Sequence, residues 1–409
     1  MPRPYIRVQH IDRAEGGVVG TFNPLNPRFA YRQNDVGDIS YELALSNPQV
    51  TRDAFAPKRT DFRLQVSATG ANWINIMGGF HWPVALENEI GVVKVQGVDW
   101  AAYLEQPMWF APYDYDAVDL ISGKTGLQGV LDDVHAMFRG WTNLGTGDVE
   151  EVSPYITYNA SQQTIVQELI DSIADGNNDT LNIGLNFQGD VAGWDTPMSY
   201  VVMFQDSTTI LDHIRAISEM DAPFGFDFFM NWDKTLVCYN PALVSPITAI
   251  NTIYSITREE GGLVRAQWQN NGPVATHTVA VGAGSPGIWA HKTYAPSKAL
   301  YRRWLRLVRL GGAHRMPEQV LAAVNGIPDR FPQKDLRLTL KPDEVDPLDP
   351  TAFFRPLIGE ALYVDIDFAP YHRINANFWI TAQEFYTDDP GNWLCDVSLQ
   401  QIYDPSGIG

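Results

Sequence analysis

Asp114, Asp116 and Asp119 bring three carboxylates close together in the sequence. Paired carboxylates can run glycoside hydrolysis, one as acid and the other as base or nucleophile, and a cluster of them can hold a divalent cation. These three sit among Pro112, Tyr113 and Tyr115 and lack the glycine and terminal glutamate of an EF-hand loop, so a solvated loop face is the simpler reading. Gly123-Lys124-Thr125 has the end of a phosphate-binding loop. That motif needs a glycine where Val118 stands, and it is rejected. His81, His135, His213, His277, His291 and His314 show no ligand spacing such as two histidines four apart on a helix, and each reads as a core or surface histidine. No Gly-x-Ser-x-Gly elbow supports a serine hydrolase. Cys238 and Cys395 cannot alone make a disulfide framework or a zinc site. Both lie in apolar strand patterns and are expected as buried free thiols made in a reducing compartment. No catalytic residue, metal ligand or cofactor is expected.

Two other groups suit binding better than catalysis. Tyr301 to Arg309 is the one basic concentration of the chain. Read as a helix, it places Arg302, Arg306 and Arg309 on one side. Guanidinium forks pair bidentately with carboxylates, so Arg302, Arg303, Arg306 and Arg309 form a candidate subunit interface, the alternative being pairing with acids of their own chain. Trp73, Trp82, Trp100, Trp109, Trp141 and Trp194 invite a carbohydrate-stacking reading. Their spread over different elements favours packing in cores or subunit interfaces.

The elements that would carry these residues are mostly strands. At 409 residues two or three domains are expected, and 45% apolar residues suffice for real cores. Aromatics at 12% suit pleated surfaces, while 33 Gly and 27 Pro supply turns. In residues 1–105, Ile39, Tyr41, Leu43 and Leu45 alternate with Ser40, Glu42 and Ala44, and Phe62, Leu64 and Val66 alternate with Arg63 and Gln65. Such period-two stripes bury one face of a sheet. Trp73 to Met77 leads to Gly78-Gly79, read as a turn, and Ile90 to Gly97 leads to a short helical stretch at Val98–Leu104. A small barrel or sandwich is predicted. Residues 106–250 read as a mixed α/β segment. It has helices around Leu127–Phe138, after a Ser161 N-cap, and from Asp206 or Ser207, then a hairpin turning at Asn231-Trp232-Asp233-Lys234. From 251 to 409 the strand pattern resumes at Val279–Val281, Leu336–Leu340, Leu362–Phe368 and Leu394–Ile402, with a helix near Met316–Asn325.

The charge of −19 (29 basic against 48 acidic residues) repels polyanions and argues against wrapping duplex DNA. It suits a channel wall along which DNA slides without binding. The first thirty residues carry no apolar run flanked by basic residues, and no stretch reaches the length of a membrane span, so a soluble protein without a signal peptide is expected.

The order of parts resembles the tail-tip (baseplate) hub and minor tail proteins of long-tailed bacteriophages. The likeness is carried by the passage Gly91 to Leu104, the helix Gln163 to Ile173, the helix and aromatic hairpin Thr209 to Tyr239, the strand His277 to Gly284, and the closing section from Ile358 to Asp365. It covers nearly the whole chain as an arrangement of weak motifs. The resemblance implies a mainly β fold with an α/β insertion, two tail-tube-like β-barrels (1–105 and 251–409) flanking the mixed middle domain (106–250). It also implies a homotrimer whose barrels form a ring below the tail tube, with a distal tail protein above, the tape-measure terminus inside, other tail-tip proteins as partners and DNA only in passage. Such a subunit would be assembled in the host cytoplasm and reside at the virion tail tip. The alternatives are a distal tail ring protein, or a polysaccharide-binding or polysaccharide-degrading protein.

Overall fold

The computed structural model describes residues 4–13, 15–51, 60–81, 91–105, 155–174, 184–190, 197–203, 208–219, 226–239, 255–257, 263–271, 276–282, 288–293, 305–310, 317–326, 333–341, 351–368, 372–388 and 392–401. The strands up to residue 190 are β1 (Tyr5–Asp12), β2 (Val18–Phe22), β3 (Leu25–Arg32), β4 (Asp38–Ala44), β5 (Thr60–Ser67), β6 (Ile74–His81), β7 (Val92–Asp99), β8 (Tyr155–Ser161) and β9 (Asn186–Asp190). Then follow β10 (Pro197–Met203), β11 (Asp227–Met230), β12 (Thr235–Tyr239), β13 (Ser255–Thr257), β14 (Leu263–Asn271), β15 (His277–Val281) and β16 (Trp289–Thr293). The last are β17 (Leu305–Arg309), β18 (Gln333–Leu340), β19 (Ala361–Phe368), β20 (His372–Thr387) and β21 (Trp393–Gln401). Helices α1 (Gln162–Ala174), α2 (Ile210–Ser218) and α3 (Pro317–Gly326) join them, and the protein is mainly β. The helix expected over Leu127–Phe138 lies outside the described residues. The chain divides into two compact units, one of Met1–Ala102, Asp227–Pro273 and Phe331–Gly409, the other of Tyr103–Phe226 and Val274–Arg330.

The first unit is built on a 13-stranded sheet with the path β14-β18-β21-β20-β3-β4-β7-β6-β5-β1-β2, β19 pairing β20 and β13 pairing β19. Period two explains the strands. Ile39, Tyr41 and Leu43 of β4 are buried between half-buried polar neighbours, and β7 repeats the rule with Val93 and Val95. Leu45, expected on the same inward stripe, is exposed because β4 ends at Ala44.

β20 joins the two ends of the chain. Along His372–Trp379 it pairs with β19 and along Ala382–Tyr386 with β3 on the same edge, while on the other edge it pairs with β21 from Phe378 to Thr387 through a bulge between Ile380 and Ala382. Phe29 and Phe385 face each other in this register and stack with centroids 4.8 Å apart. Phe353, Phe354 and Trp393 meet them edge-on or tilted. The resulting core is one continuous cluster running from Val8 to Leu399.

Gly78-Gly79 is not the turn expected from sequence. β6 continues through both residues to His81, and the glycines serve close packing instead. A Cβ on Gly79 would collide with the backbone carbonyl of Val98 and come within 2.8 Å of the Asp99 Cα. A Cβ on Gly78 would come within 2.5 Å of the Trp232 carbonyl. The β11–β12 hairpin is tied to the turn after β3 by Asn34. This residue occupies the left-handed region (φ 56°) that asparagine tolerates better than most residues. Its backbone N–H donates to Phe228 O and its Oδ1 accepts from Phe228 N, both at 2.8 Å.

In the second unit β8 and β10 pair antiparallel. Helix α1 starts where Ser161 Oγ accepts from Thr164 N at 3.2 Å and buries Ile165, Val166, Leu169 and Ile170. Helix α2, expected to start near Asp206 or Ser207, is capped by Thr209, and those two residues lie outside the described ones. Several residues here can cap a helix, and Thr209 has Asp212 at the third helical position to complete a reciprocal capping box.

A second correction concerns the basic segment. Its described part, Leu305–Arg309, is strand β17 and not a helix. Alternating Leu-Arg-Leu-Val-Arg fits both periods, and pairing with β15 decides for the strand. Arg306 and Arg309 therefore lie on opposite faces of the sheet. Arg302 and Arg303 lie outside the described residues.

Candidate functional site

The most concentrated buried polarity lies inside the first unit. His10 of β1, Tyr41 of β4 and His81 of β6 are each at most 2% exposed. The Tyr41 hydroxyl lies 2.5 Å from His10 Nε2 and 2.9 Å from His81 Nε2, and the two imidazoles are 4.3 Å apart between centroids. One hydroxyl proton can serve one ring while the oxygen accepts from the other, so both Nε2 atoms are partnered with the imidazoles neutral, whereas the buried His81 Nδ1 has no hydrogen-bond partner among the described residues. Burial, with His10 beside it, holds the His81 imidazole well below the ordinary histidine range, against a Thr60 backbone contact that favours charge. Closed off from solvent, this cluster is a structural element and cannot reach a substrate.

Asp99 is the second buried group. It accepts from Gly37 N at 2.8 Å and Ala101 N at 2.9 Å. Burial outweighs those donors and pushes its carboxyl up to about 8. Asp61 is also raised by burial, opposed by Arg13, whose Nη2 lies 2.6 Å away.

These two centres predict opposite pH dependences. His81, depressed in the native state, adds no slope above about pH 6.5; below it the unfolded chain gains a proton that the native core refuses. Stability is then lost on acidification, by up to about 1.4 kcal/mol per pH unit. Asp99, raised in the native state, contributes most below about pH 4, where both states are protonated, and that contribution is lost as pH rises towards about 8. Urea unfolding from pH 5 to 8 should show His81→Gln less acid-sensitive than wild type and Asp99→Asn less alkali-sensitive. Variants with the wild-type pH profile would exclude both assignments.

A cavity of about 460 Å³ lies over the bulge in β20, lined by Arg32, Gln33, Asn34, Arg337, Thr381 and Ser398 among others. Gln33 N donates to Thr381 O at 2.9 Å, and Thr381 Oγ1 donates to Ser398 O at 3.1 Å. Arg32 is already engaged by Asp38. With Asp35 its only acid and neither histidine nor cysteine in its lining, the niche offers hydrogen bonds but no acid–base pair.

The other residues singled out in the sequence do not converge among those described. Asp114, Asp116, Asp119, Gly123-Lys124-Thr125, His135, His314, Trp82, Trp109, Trp141 and Trp194 lie outside the described residues. His213 is buried, with Nδ1 3.0 Å from the Tyr200 hydroxyl. Trp73 lies beneath the Arg7 guanidinium at 4.0 Å, and buried Trp100 donates its indole N–H to Trp232 O at 3.1 Å. Cys238 and Cys395 are buried and free, both thiols pushed up by burial. Among the described residues, no three His, Cys, Asp or Glu side chains are placed to hold a metal, and no helix is long and apolar enough to cross a membrane.

An open surface is found on the three-stranded sheet β16-β15-β17. Helix α3 packs Val320 and Val324 against Ala280 on one face, and Lys292 Nζ reaches Asn325 O at 3.0 Å on that side. The other face carries Trp289, His291 and Thr293, then His277, Val279 and Val281, then Leu305, Leu307 and Arg309, in register. Trp289, Leu305 and Leu307 are 64%, 62% and 58% exposed. Trp289 and His291 pack with their rings nearly parallel. The alternation in Trp289–Thr293 was the available signal for this face; it passed unread because each strand is only five residues long.

No protein-family model and no curated protein sequence matches the chain. Solved structures do match in fold. A tail protein from Neisseria meningitidis MC58 superposes with a TM-score of 0.52 at 11% identity, covering 97% of this chain and 96% of that one. The 43 kDa tail protein of prophage MuSo2 from Shewanella oneidensis gives a TM-score of 0.53 at 11% identity, covering 97% of each chain. The chain shares the fold of these two tail proteins. The likeness spans nearly all of this chain and of both tail proteins.

Proposed function

We propose that this tail-type protein is a structural subunit of a phage tail, acting at the tip as a hub. In this reading three copies form a ring that closes the end of the tail tube, holds the tape-measure terminus, and opens for DNA ejection. The β modules at the two ends of the chain supply tail-tube-like barrels, and a distal tail protein and other tip proteins are its neighbours. The subunit is assembled in the host cytoplasm, and it performs no catalysis.

The observation that carries this reading is the end-to-end agreement in fold with two tail proteins. The net charge of −19 supports it, since a lumen lined by Asp and Glu lets DNA pass without binding. Native mass measurement of the purified protein, with antibody labelling of tails, tests it. Three copies and label at the tip are expected. Six copies would favour a distal tail ring, and a monomer that turns over cell-wall glycan would favour a polysaccharide-active protein; either overturns the hub. A ring with a neutral or basic lumen would remove the role given to the charge.

A further inference from the structure

We infer that the exposed face of the β16-β15-β17 sheet is a docking surface for a second copy of this chain. The inference rests on the reading that copies of the protein assemble, and it names the surface through which they do so.

Exposed apolar side chains scattered singly need no explanation, but a contiguous patch does. Here Leu305 and Leu307 alternate on β17, Val279 and Val281 continue the patch across β15, and Trp289 closes it on β16. A β-sheet layer is stable when one face is covered, and α3 already covers the other. The exposed side chains therefore add nothing to this unit's own core. A large aromatic ring, aliphatic neighbours and an arginine are the residue types enriched in the centres of protein interfaces.

Charge identifies the occupant. None of the nine positions on this face is acidic, although the chain has 48 acidic residues against 29 basic ones. Arg309 stands on the exposed face and makes no ion pair with a described residue. Copies carrying −19 each repel one another, and association needs a local surface of opposite character to overcome that repulsion. An acid-free face carrying the Arg309 guanidinium, set against the acidic surface of the next copy, meets that need. Two such faces would oppose like charges if they met each other. The contact is therefore heterologous, the kind that closes into rings.

The test uses the full chain with Leu305→Glu/Leu307→Glu and, separately, Arg309→Glu. All three positions are exposed, so circular dichroism and thermal midpoint should match wild type. Size-exclusion chromatography with light scattering should show wild type as an oligomer and the double variant as a monomer, its dissociation constant raised on the order of 30-fold or more. Arg309→Glu should weaken assembly less, with a loss that grows at low salt. A wild-type oligomer unchanged by both variants overturns this face as the contact while leaving the hub reading intact. A wild type that is monomeric at every concentration overturns both. Variants that oligomerise normally but fail to enter tails would assign the face to a different tail protein and overturn the choice of a second copy.

Discussion

Gly79→Ala should cost the first unit about 3 kcal/mol or more, or leave no soluble protein. The added methyl would be driven into the Val98 carbonyl and to within 2.8 Å of the Asp99 Cα. Both are backbone atoms of β7, in the strand that pairs with Gly79, so no side chain can rotate away. Relief requires β6 and β7 to separate, which breaks the ladder between them and opens the core around Phe80 and Phe62. Gly17→Ala is the matched control: nothing lies within 4 Å of its added Cβ, and a change within about 0.5 kcal/mol is expected. Urea unfolding of the two variants decides the matter. A Gly79→Ala midpoint equal to that of wild type would mean that the strands are not packed this closely.

Phe385→Ala should be nearly as damaging, at about 3 to 5 kcal/mol. Phe385 is fully buried, stacks on Phe29 at 4.8 Å, and has Phe353 and Phe354 rings at 5.3 and 5.6 Å. Truncation removes the transfer energy of the ring and leaves a cavity whose walls are held by strands on all sides. Phe385→Leu keeps much of the volume and should lose clearly less. The site has a diagnostic beyond stability, because Phe29 and Phe385 sit where the N-terminal and C-terminal strands meet. Amide exchange should therefore rise in β3 and β20 together. Acceleration confined to β20 would show that the two strand sets are not held by this contact.

Much of the fold was readable wherever the inward stripe kept its phase. β4, β5 and β19 alternate cleanly, and each was expected close to where it lies. β20 was not, and the reason is local. Its buried residues are Ile374, Phe378 and Ile380 before the bulge, then Gln383 and Phe385 after it. The extra residue at Thr381 shifts the buried set from even to odd positions, so the longest of the described strands never shows an unbroken period. Gly78-Gly79 misled for a related reason. Glycine marks turns, but it also marks places where two backbones approach closely, and only the partner strand distinguishes them. The basic segment was misassigned because five residues of mixed leucine and arginine satisfy either period. The His10–Tyr41–His81 trio was beyond reach of spacing rules, since its members come from three strands and meet only through the sheet order β4-β7-β6-β5-β1.

The pairing of β3 with β20 also constrains how the polypeptide matures. Arg28 and Glu384, partners across that ladder, are 356 positions apart, so β3 has an open backbone edge until β20 has been translated. Such long-range closure is slow, and an unpaired edge is a template for association with another nascent chain. Translation products stopped before residue 372 would lack the strand that covers it. They should accumulate as aggregates in the producing cell, whereas chains that contain β20 should stay soluble.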